Sequence, residues 1–255
     1  MKVLGIDIGA SGVKGAIVDT DTGEMLSERL RLETPTKSTP AAVAQTVKEL
    51  CGMLNWKDGV IGVGFPAIVK RGVALSAANI DKSWINTSIT EVMSKSTNCP
   101  VIALNDADAA GIAAMEFGGG KGEEGVVMFL TIGSGIGSAL FYDGELVPNT
   151  ELGHLFFEGM VAEHYASNNA RKKFDLSWED WGTRFNKYLK HINRLFTPDL
   201  VLLGGGVSKK YEKYEKFFTV KMNVRPAELK NDAGIIGAAY YAQNKIRRRK
   251  QANKE

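Results

Sequence analysis

Apolar positions along this chain fall into short runs that end in glycine-rich turns, and two of those runs look alike. KVLGIDI (2–8) is almost continuously apolar and of strand length, the pattern of a buried strand. It ends in GASG, and VKGAIVD (13–19) then predicts a second strand. DTDTGE supplies turn residues, and the alternation in MLSERLRLE (25–33) predicts a third strand. A helix is expected over 39–54: Thr39 can cap it, Pro40 suits its first turn, and Val43, Val47, Leu50 and Leu54 share one face. VIGVGF (60–65) and VIAL (101–104) predict further strands. Residues 107–116 read as a helix that runs into Gly118, Gly119 and Gly120, a hinge candidate.

The pattern then restarts. VVMFLTI (126–132) predicts a strand ending in GSGIG, SALFY a second, and Asp143-Gly144 a tight turn into ELV. Aligning Gly9 with Gly133 superimposes IDIGASG on LTIGSG, each followed by a hairpin strand, so the chain reads as two related halves. A mostly helical stretch (160–196), a buried strand (DLVLLGGG, 199–206) and a final helix from about Gly234 complete it. No linker rich in Pro or Ser separates the halves, which are expected to pack as two lobes around a cleft.

Composition narrows the class. Of 255 residues, 44% are hydrophobic and 24% charged, which excludes collagen-like, disordered and low-complexity chains. Cys51 and Cys99 have neither CxxC spacing nor a Cys/His cluster, so a zinc finger and a disulfide scaffold are excluded. No apolar run approaches about 18 residues and no secretory leader opens the chain, so a soluble cytoplasmic protein with no membrane partner is expected. The net charge of +3 is uneven: the last eleven residues, KIRRRKQANKE, carry +5 and the rest −2. Lys209 to Lys230 holds seven Lys/Arg against three Glu. Such runs read either as solvated faces or as a site for a polyanion.

Three groups of residues carry candidate chemistry. The first is a set of glycine turns after buried strands: Gly9-Ala10-Ser11-Gly12, Gly133-Ser134-Gly135 and Gly204-Gly205-Gly206. Glycine lets backbone amides approach a phosphate, although each turn alone would serve equally as a tight hairpin. Neither the Walker A motif nor the dinucleotide fingerprint is present, because these turns feed strands rather than helices. Asp7 before the first turn and Lys14 after it add a metal-side carboxylate and a phosphate-side cation, an arrangement suited to phosphoryl transfer. The second group is Asn105-Asp106 with Asp108 after VIAL, where α/β folds place ligands; either Asn105 or Asp106 would also serve as a helix cap. The third is Glu151 and His154 in ELGH, with Glu163 beyond, a set able to hydrogen-bond a polyhydroxy ligand; a lone structural histidine is the competing reading of His154. Trp84, Trp178 and Trp181 read as core or interface.

These motifs resemble the ROK family (repressor, open reading frame, kinase), and within it the polyphosphate-using glucokinases. The residues that carry the resemblance span nearly the whole chain: GIDIGASGVKGAIVD (5–19), GVGFPAIV (62–69), SAANIDKSWI (76–85), NDADAAGIAAMEFG (105–118), FLTIGSGIGSALFYDGELVPNTELGHL (129–155), AEHYAS (162–167), FTPDLVLLGGGVSK (196–209) and PAELKNDAGIIGAA (226–239). The resemblance implies an α/β, actin-like duplicated fold with a central cleft. A small N-terminal lobe would cover 1–118, completed by a C-terminal helix over 237–247. A large lobe would cover 119–236, and a basic disordered tail 248–255. It implies phosphoryl transfer from inorganic polyphosphate to the 6-hydroxyl of glucose, with ATP as alternative donor, a homodimer, and Mg2+ as cofactor.

It also implies roles. Asp106 would be the general base, and Asn105, Glu151, His154 and Glu163 would hold the sugar, with Gly64 and Asn79 lining its pocket. Asp7 would orient Mg2+ through water. Gly9, Ser11, Gly12, Lys14, Thr131, Gly133, Ser134 and Gly135 would hold phosphates, and Gly204, Gly205 and Gly206 would complete that set. Two departures stand out. Many members carry a cysteine-rich zinc motif after ELGH, where this chain has FFEGMVAEHYAS, so no structural zinc is expected. Ala10 stands where a second glycine is usual, which is tolerable only if its φ is negative. Lys209, Lys210 or Arg247, Arg248 and Arg249 are candidates for a polyphosphate track. A sugar-sensing repressor would need an N-terminal helix-turn-helix before the first strand, and specific nucleic-acid binding is not expected.

Overall fold

The two matching apolar runs become the central strands of two five-stranded sheets. The computed structural model describes residues 1–228 and 232–252, and the chain divides into one unit of Met1–Ala113 with Asp232–Glu255 and a second of Ala114–Asn231. In the first unit, β1 (Lys2–Gly9), β2 (Gly12–Asp19), β3 (Leu30–Leu32), β4 (Ile61–Phe65) and β7 (Val101–Asn105) lie in the order β3-β2-β1-β4-β7. β1, β2 and β3 are antiparallel neighbours, and β1, β4 and β7 run parallel. A small hairpin, β5 (Val69–Lys70) and β6 (Val73–Ala74), lies outside the sheet.

Alternation sorts the two faces of this sheet. Leu4, Ile6 and Ile8 of β1 join Ile61 and Val63 of β4 in one buried cluster with α1 (Pro40–Met53) and α2 (Ile89–Thr97). Thr39 caps α1 by accepting from the Ala42 amide, as its sequence predicts. The opposite face is nearly bare of side chains at Gly5 and Gly62, and α7 (Ala233–Ala252) lies there. A Cβ on Gly5 would sit 2.1 Å from the Ile235 carbonyl oxygen, and one on Gly62 would sit 2.0 Å from that of Ala238. These are backbone contacts, so the helix reaches the sheet only because both residues are glycine.

The second unit repeats the plan. β8 (Val126–Ile132), β9 (Ile136–Tyr142), β10 (Glu145–Val147), β13 (Leu200–Gly204) and β14 (Asn223–Pro226) lie in the order β10-β9-β8-β13-β14. The signs match the first sheet: β8, β9 and β10 are antiparallel, and β8, β13 and β14 parallel. The core of this unit is aromatic. Trp181, Phe185 and Tyr188 of α6 (Trp178–Phe196) are fully buried with Tyr214, beneath Met128, Leu130, Val201 and Leu203. The stretch after ELGH forms a short hairpin, β11 (Phe156–Phe157) and β12 (Met160–Val161), followed by α4 (Ala162–Ala166) and α5 (Asn168–Lys173). Phe157 packs its ring against Tyr165, Tyr188 and His191 there, so apolar packing holds this segment.

Several expectations are corrected. The third strand is only Leu30–Leu32, with Met25 making an isolated bridge to Val18, because an edge strand has one partner to hold it. The division falls between Ala113 and Ala114, inside α3 (Asp106–Phe117), rather than at 118/119. Gly118–Gly120 is a tied turn: the Gly119 carbonyl accepts from Arg225, and the Gly120 amide donates to Ala114. The last helix starts at Ala233 and continues through Ala252, so residues 248–252 are helical where a disordered tail was expected. Residues 253–255 of that tail, and Leu229, Lys230 and Asn231 of the PAELKNDAGIIGAA motif, lie outside the described residues. Among the described residues no helix is long and apolar enough to cross a membrane.

Candidate active site

In the first unit, strand register sets one row of residues across the sheet. Arg31 is opposite Lys14, Lys14 opposite Asp7, and Asp7 opposite Gly64. The row lies on the face that α7 covers, two residues beyond Gly5 and Gly62. It emerges where the helix begins, since a Cβ on Gly234 would sit 3.1 Å from the Asp7 carboxyl carbon. The positive end of the helix dipole therefore faces Asp7. Lys14 Nζ donates to Asp7 Oδ2 at 2.9 Å. The turn beyond the row has Ala10 and Ser11 at its tip between paired Gly9 and Gly12. Neither Ala10 nor Ser11 has a positive φ, which is why alanine is accommodated. The Gly9 carbonyl accepts from Thr34 Oγ1 at 2.6 Å and the Ser11 carbonyl from Arg31 at 2.5 Å.

The Asn105-Asp106 pair resolves into two jobs. Asn105 is buried and caps α3, its Oδ1 accepting from the amides of Ala107 (2.8 Å) and Asp108 (3.0 Å) while its Nδ2 donates to the Ala67 carbonyl. Asp108 is buried as well. Asp106 is the carboxylate left partly exposed, at the carboxyl end of β7, with its Oδ1 accepting from the Ala107 amide at 2.9 Å. Gly64 brings β4 against it: a Cβ there would lie 3.6 Å from Asp106 Cα. Two strand spacings separate β1 from β7, which puts Asp106 about 10 Å across the sheet from Asp7. Asn79 is exposed in the loop before the 3-10 turn Lys82–Trp84, and no hydrogen bond of the described residues joins it to this group. The neighbouring NIDKSWI residues serve the fold: Asp81 caps that turn, and buried Trp84 donates to the Ser38 carbonyl at 2.8 Å.

In the second unit the corresponding row is neutral: Thr131 lies opposite Gly137 on one side and Gly204 on the other. The turn Gly133-Ser134-Gly135 follows. Glu163 folds over Gly135: its Oε2 lies 2.2 Å from where a Cβ would sit and accepts from the Ile136 amide at 3.3 Å. The 3-10 turn Leu152–His154 is pressed onto β9 through Gly153, where a Cβ would sit 2.0 Å from the Ile136 carbonyl oxygen. Ser138 Oγ accepts from the Leu152 amide at 3.0 Å and itself pairs with the Thr150 carbonyl. His154 is thereby held between two carboxylates, Nδ1 at 3.2 Å from Glu151 Oε2 and Nε2 at 3.9 Å from Glu163 Oε1. Its side chain is 52% exposed, so this is no buried structural histidine. Gly204 makes room for the Phe129 ring, and Gly205, at φ +77°, lies against the Ile132 backbone; Gly206 has nothing near its Cβ position. Sequence reasoning missed Arg31, Thr34 and the start of α7, because strand pairing and helix docking bring them to the site.

Comparison with known proteins bears on the family and the fold. The family model described as ROK family matches residues 3–170. The polyphosphate glucokinase of Mycobacterium tuberculosis is 44% identical over 92% of this chain and 89% of its own length. That of Mycobacterium leprae is 42% identical over 92% of this chain and 73% of its own. A crystal structure of inorganic polyphosphate/ATP-glucomannokinase from Arthrobacter sp. strain KM superimposes with a TM-score of 0.91 at 43% identity, over 96% of this chain and 99% of that one. The family model covers more than half of the chain and the mycobacterial relatives nearly all of it, so the chain belongs to the ROK family.

Proposed function

We propose that this protein is a sugar kinase that transfers the terminal phosphoryl group of inorganic polyphosphate to the 6-hydroxyl of glucose. The observation that carries the reading is its near full-length likeness to the mycobacterial polyphosphate glucokinases. The site chemistry supports it. A bond forms between the sugar O6 and the terminal phosphorus as the bond to the bridging oxygen breaks. Asp106 takes the hydroxyl proton, and the polyphosphate leaves one unit shorter, its charge offset by Lys14. Asn105 fixes the start of α3 and hence Asp106. Glu151, His154 and Glu163 are the hydrogen-bonding set for the remaining hydroxyls, with Gly64 allowing close approach and Asn79 closing the sugar pocket. Gly9, Ser11 and Gly12, with Thr131, Gly133, Ser134 and Gly135, are assigned as donors to the phosphates, and Gly204–Gly206 are assigned to the same ligand. The reading requires both groups to act on one glucose.

Mg2+ fits this residue set. Asp7 is the only carboxylate in its row, and among the described residues no group of three or more His, Cys, Asp or Glu is placed to hold a metal ion. A lone carboxylate suits an ion that keeps its water and is bound mainly by phosphate. Mg2+ supplies charge neutralisation of the donor phosphates, and Asp7 would hold it through water.

The test is glucose 6-phosphate formation with Mg2+ and glucose, comparing long-chain polyphosphate with ATP as sole donor. Turnover with polyphosphate supports the assignment, and activity with ATP alone overturns the donor while keeping base and sugar. A second reading has its own support: the name of the Arthrobacter protein joins both donors and the glucose and mannose acceptors. Dual donor use would show as turnover with each donor separately, and mannose as acceptor tests the rest.

A further inference from the structure

We propose that Arg31 is a donor-binding residue whose guanidinium holds the phosphates behind the one transferred. This rests on the polyphosphate reading above. The first observation is placement. Register puts Arg31 opposite Lys14 on the same sheet face, so it extends the Asp7–Lys14 row outward to the edge strand. The second is fixation. The guanidinium is bent over the first glycine turn, donating to the Ser11 carbonyl at 2.5 Å, and a Cβ on Gly12 would lie 2.6 Å from its Nε. Gly12 therefore gives the arginine its seat.

The third observation is charge. The other cations around this strand are compensated: Lys14 by Asp7 (2.9 Å) and Arg29 by Asp232 (2.7 Å). No carboxylate of the described residues pairs with Arg31, which leaves the row with a net positive charge at its outer end. A planar, fixed, uncompensated guanidinium beside a turn of small residues suits the paired oxygens of a phosphate chain.

The same geometry sets Arg247, a candidate for the track suggested by sequence, away from the turn. α7 begins beside Asp7, and Arg247 lies thirteen residues past Gly234, about 20 Å along the helix. There Arg247 pairs with Asp21 at 3.0 Å, next to the N-terminal amine, at the opposite end of the sheet from the glycine turn. Arg31, by contrast, touches the turn itself from the edge strand.

The experiment is steady-state kinetics of the full chain with long-chain polyphosphate, at several salt concentrations. Arg31→Met is expected to raise the donor KM about tenfold, weaken its salt dependence, and leave the glucose KM and melting temperature unchanged. Arg31→Lys should recover part of the affinity, and Arg29→Met, which loses a compensated cation, should change the donor KM less than twofold. Gly12→Ala displaces the guanidinium, so it should raise the donor KM in the wild type and add little to Arg31→Ala. An unchanged donor KM in Arg31→Met, with the wild type turning over polyphosphate, overturns the role of Arg31. A wild type inactive with polyphosphate overturns the donor assignment itself, and this proposal with it.

Discussion

The two sheets share strand order and pairing signs, yet their corresponding rows differ in charge. In the first sheet the row two residues before the turn is Arg31, Lys14, Asp7 and Gly64. In the second it is Gly137, Thr131 and Gly204, without a charge. Two carboxylates of the second unit, Glu151 and Glu163, lie after the strands, around His154. A duplicated scaffold thus carries two different sets of side chains. On the proposed function, the first half would manage phosphate charge and proton removal, and the second would offer hydroxyl and backbone donors with a hydrogen-bonding set for a neutral polyol. Packing differs in parallel. Glycines admit a helix backbone onto the first sheet, whereas an aromatic layer of Trp181, Phe185 and Tyr188 covers the second.

The largest effect expected from breaking this contrast is at the base. Asp106→Asn should lower kcat by about 10²–10⁴-fold with both KM values nearly unchanged, and a kcat within tenfold of wild type would remove the base assignment. The rows come next. Asp7→Asn strips the only carboxylate from a charged row and strands Lys14, so kcat should fall about 100-fold, against less than about 10-fold for Thr131→Val. Equal losses would mean the two rows do the same work. Stability should follow the packing difference. Gly62→Ala drives a methyl into helix backbone and should cost about 3 kcal/mol, seen as a fall of roughly 6–12 °C in melting temperature. Gly204→Ala meets the Phe129 ring, a side chain that can tilt, and should cost about 1 kcal/mol.

The smallest effect is alkaline. Burial pushes the Cys51 thiol up to about 12, helped by neighbouring Cys99, and burial raises the Tyr188 and Tyr214 hydroxyls. The unfolded chain would release these protons near their ordinary values of 9.0 and 10.0 while the fold retains them. Stability from these groups is therefore full below pH 9 and declines above it. Both tyrosines are in the second unit, which should lose more beyond pH 10. Near-UV circular dichroism melts across this range check it, and a flat melting temperature to about pH 11 would contradict it.

Much of the scaffold was readable because its signals are local. VVMFLTI is a strand with the predicted bounds, and Thr39-Pro40 starts α1 as expected. Asp143 and Gly144 both take positive φ in the predicted turn into β10. Unread were α2, whose ITEVMSKST mixes β-branched and polar residues, and β14, which exists through its parallel pairing with β13. The site was half legible. NDAD stood out as a motif, but only the buried hydrogen bonds of Asn105 show that it, rather than Asp106, caps α3 through two backbone amides.

The sequence by itself determined the central strands, the glycine turns after them and the repeat, because these depend on side-chain period and backbone freedom within a few residues. The tertiary structure decided which of those residues share a row, why Gly5 and Gly62 admit no side chain, and that Arg31 reaches the first turn while Arg247 does not. Each of these follows from register between strands or docking of a helix on a sheet, contacts that join residues distant in the chain and leave no periodic mark along it.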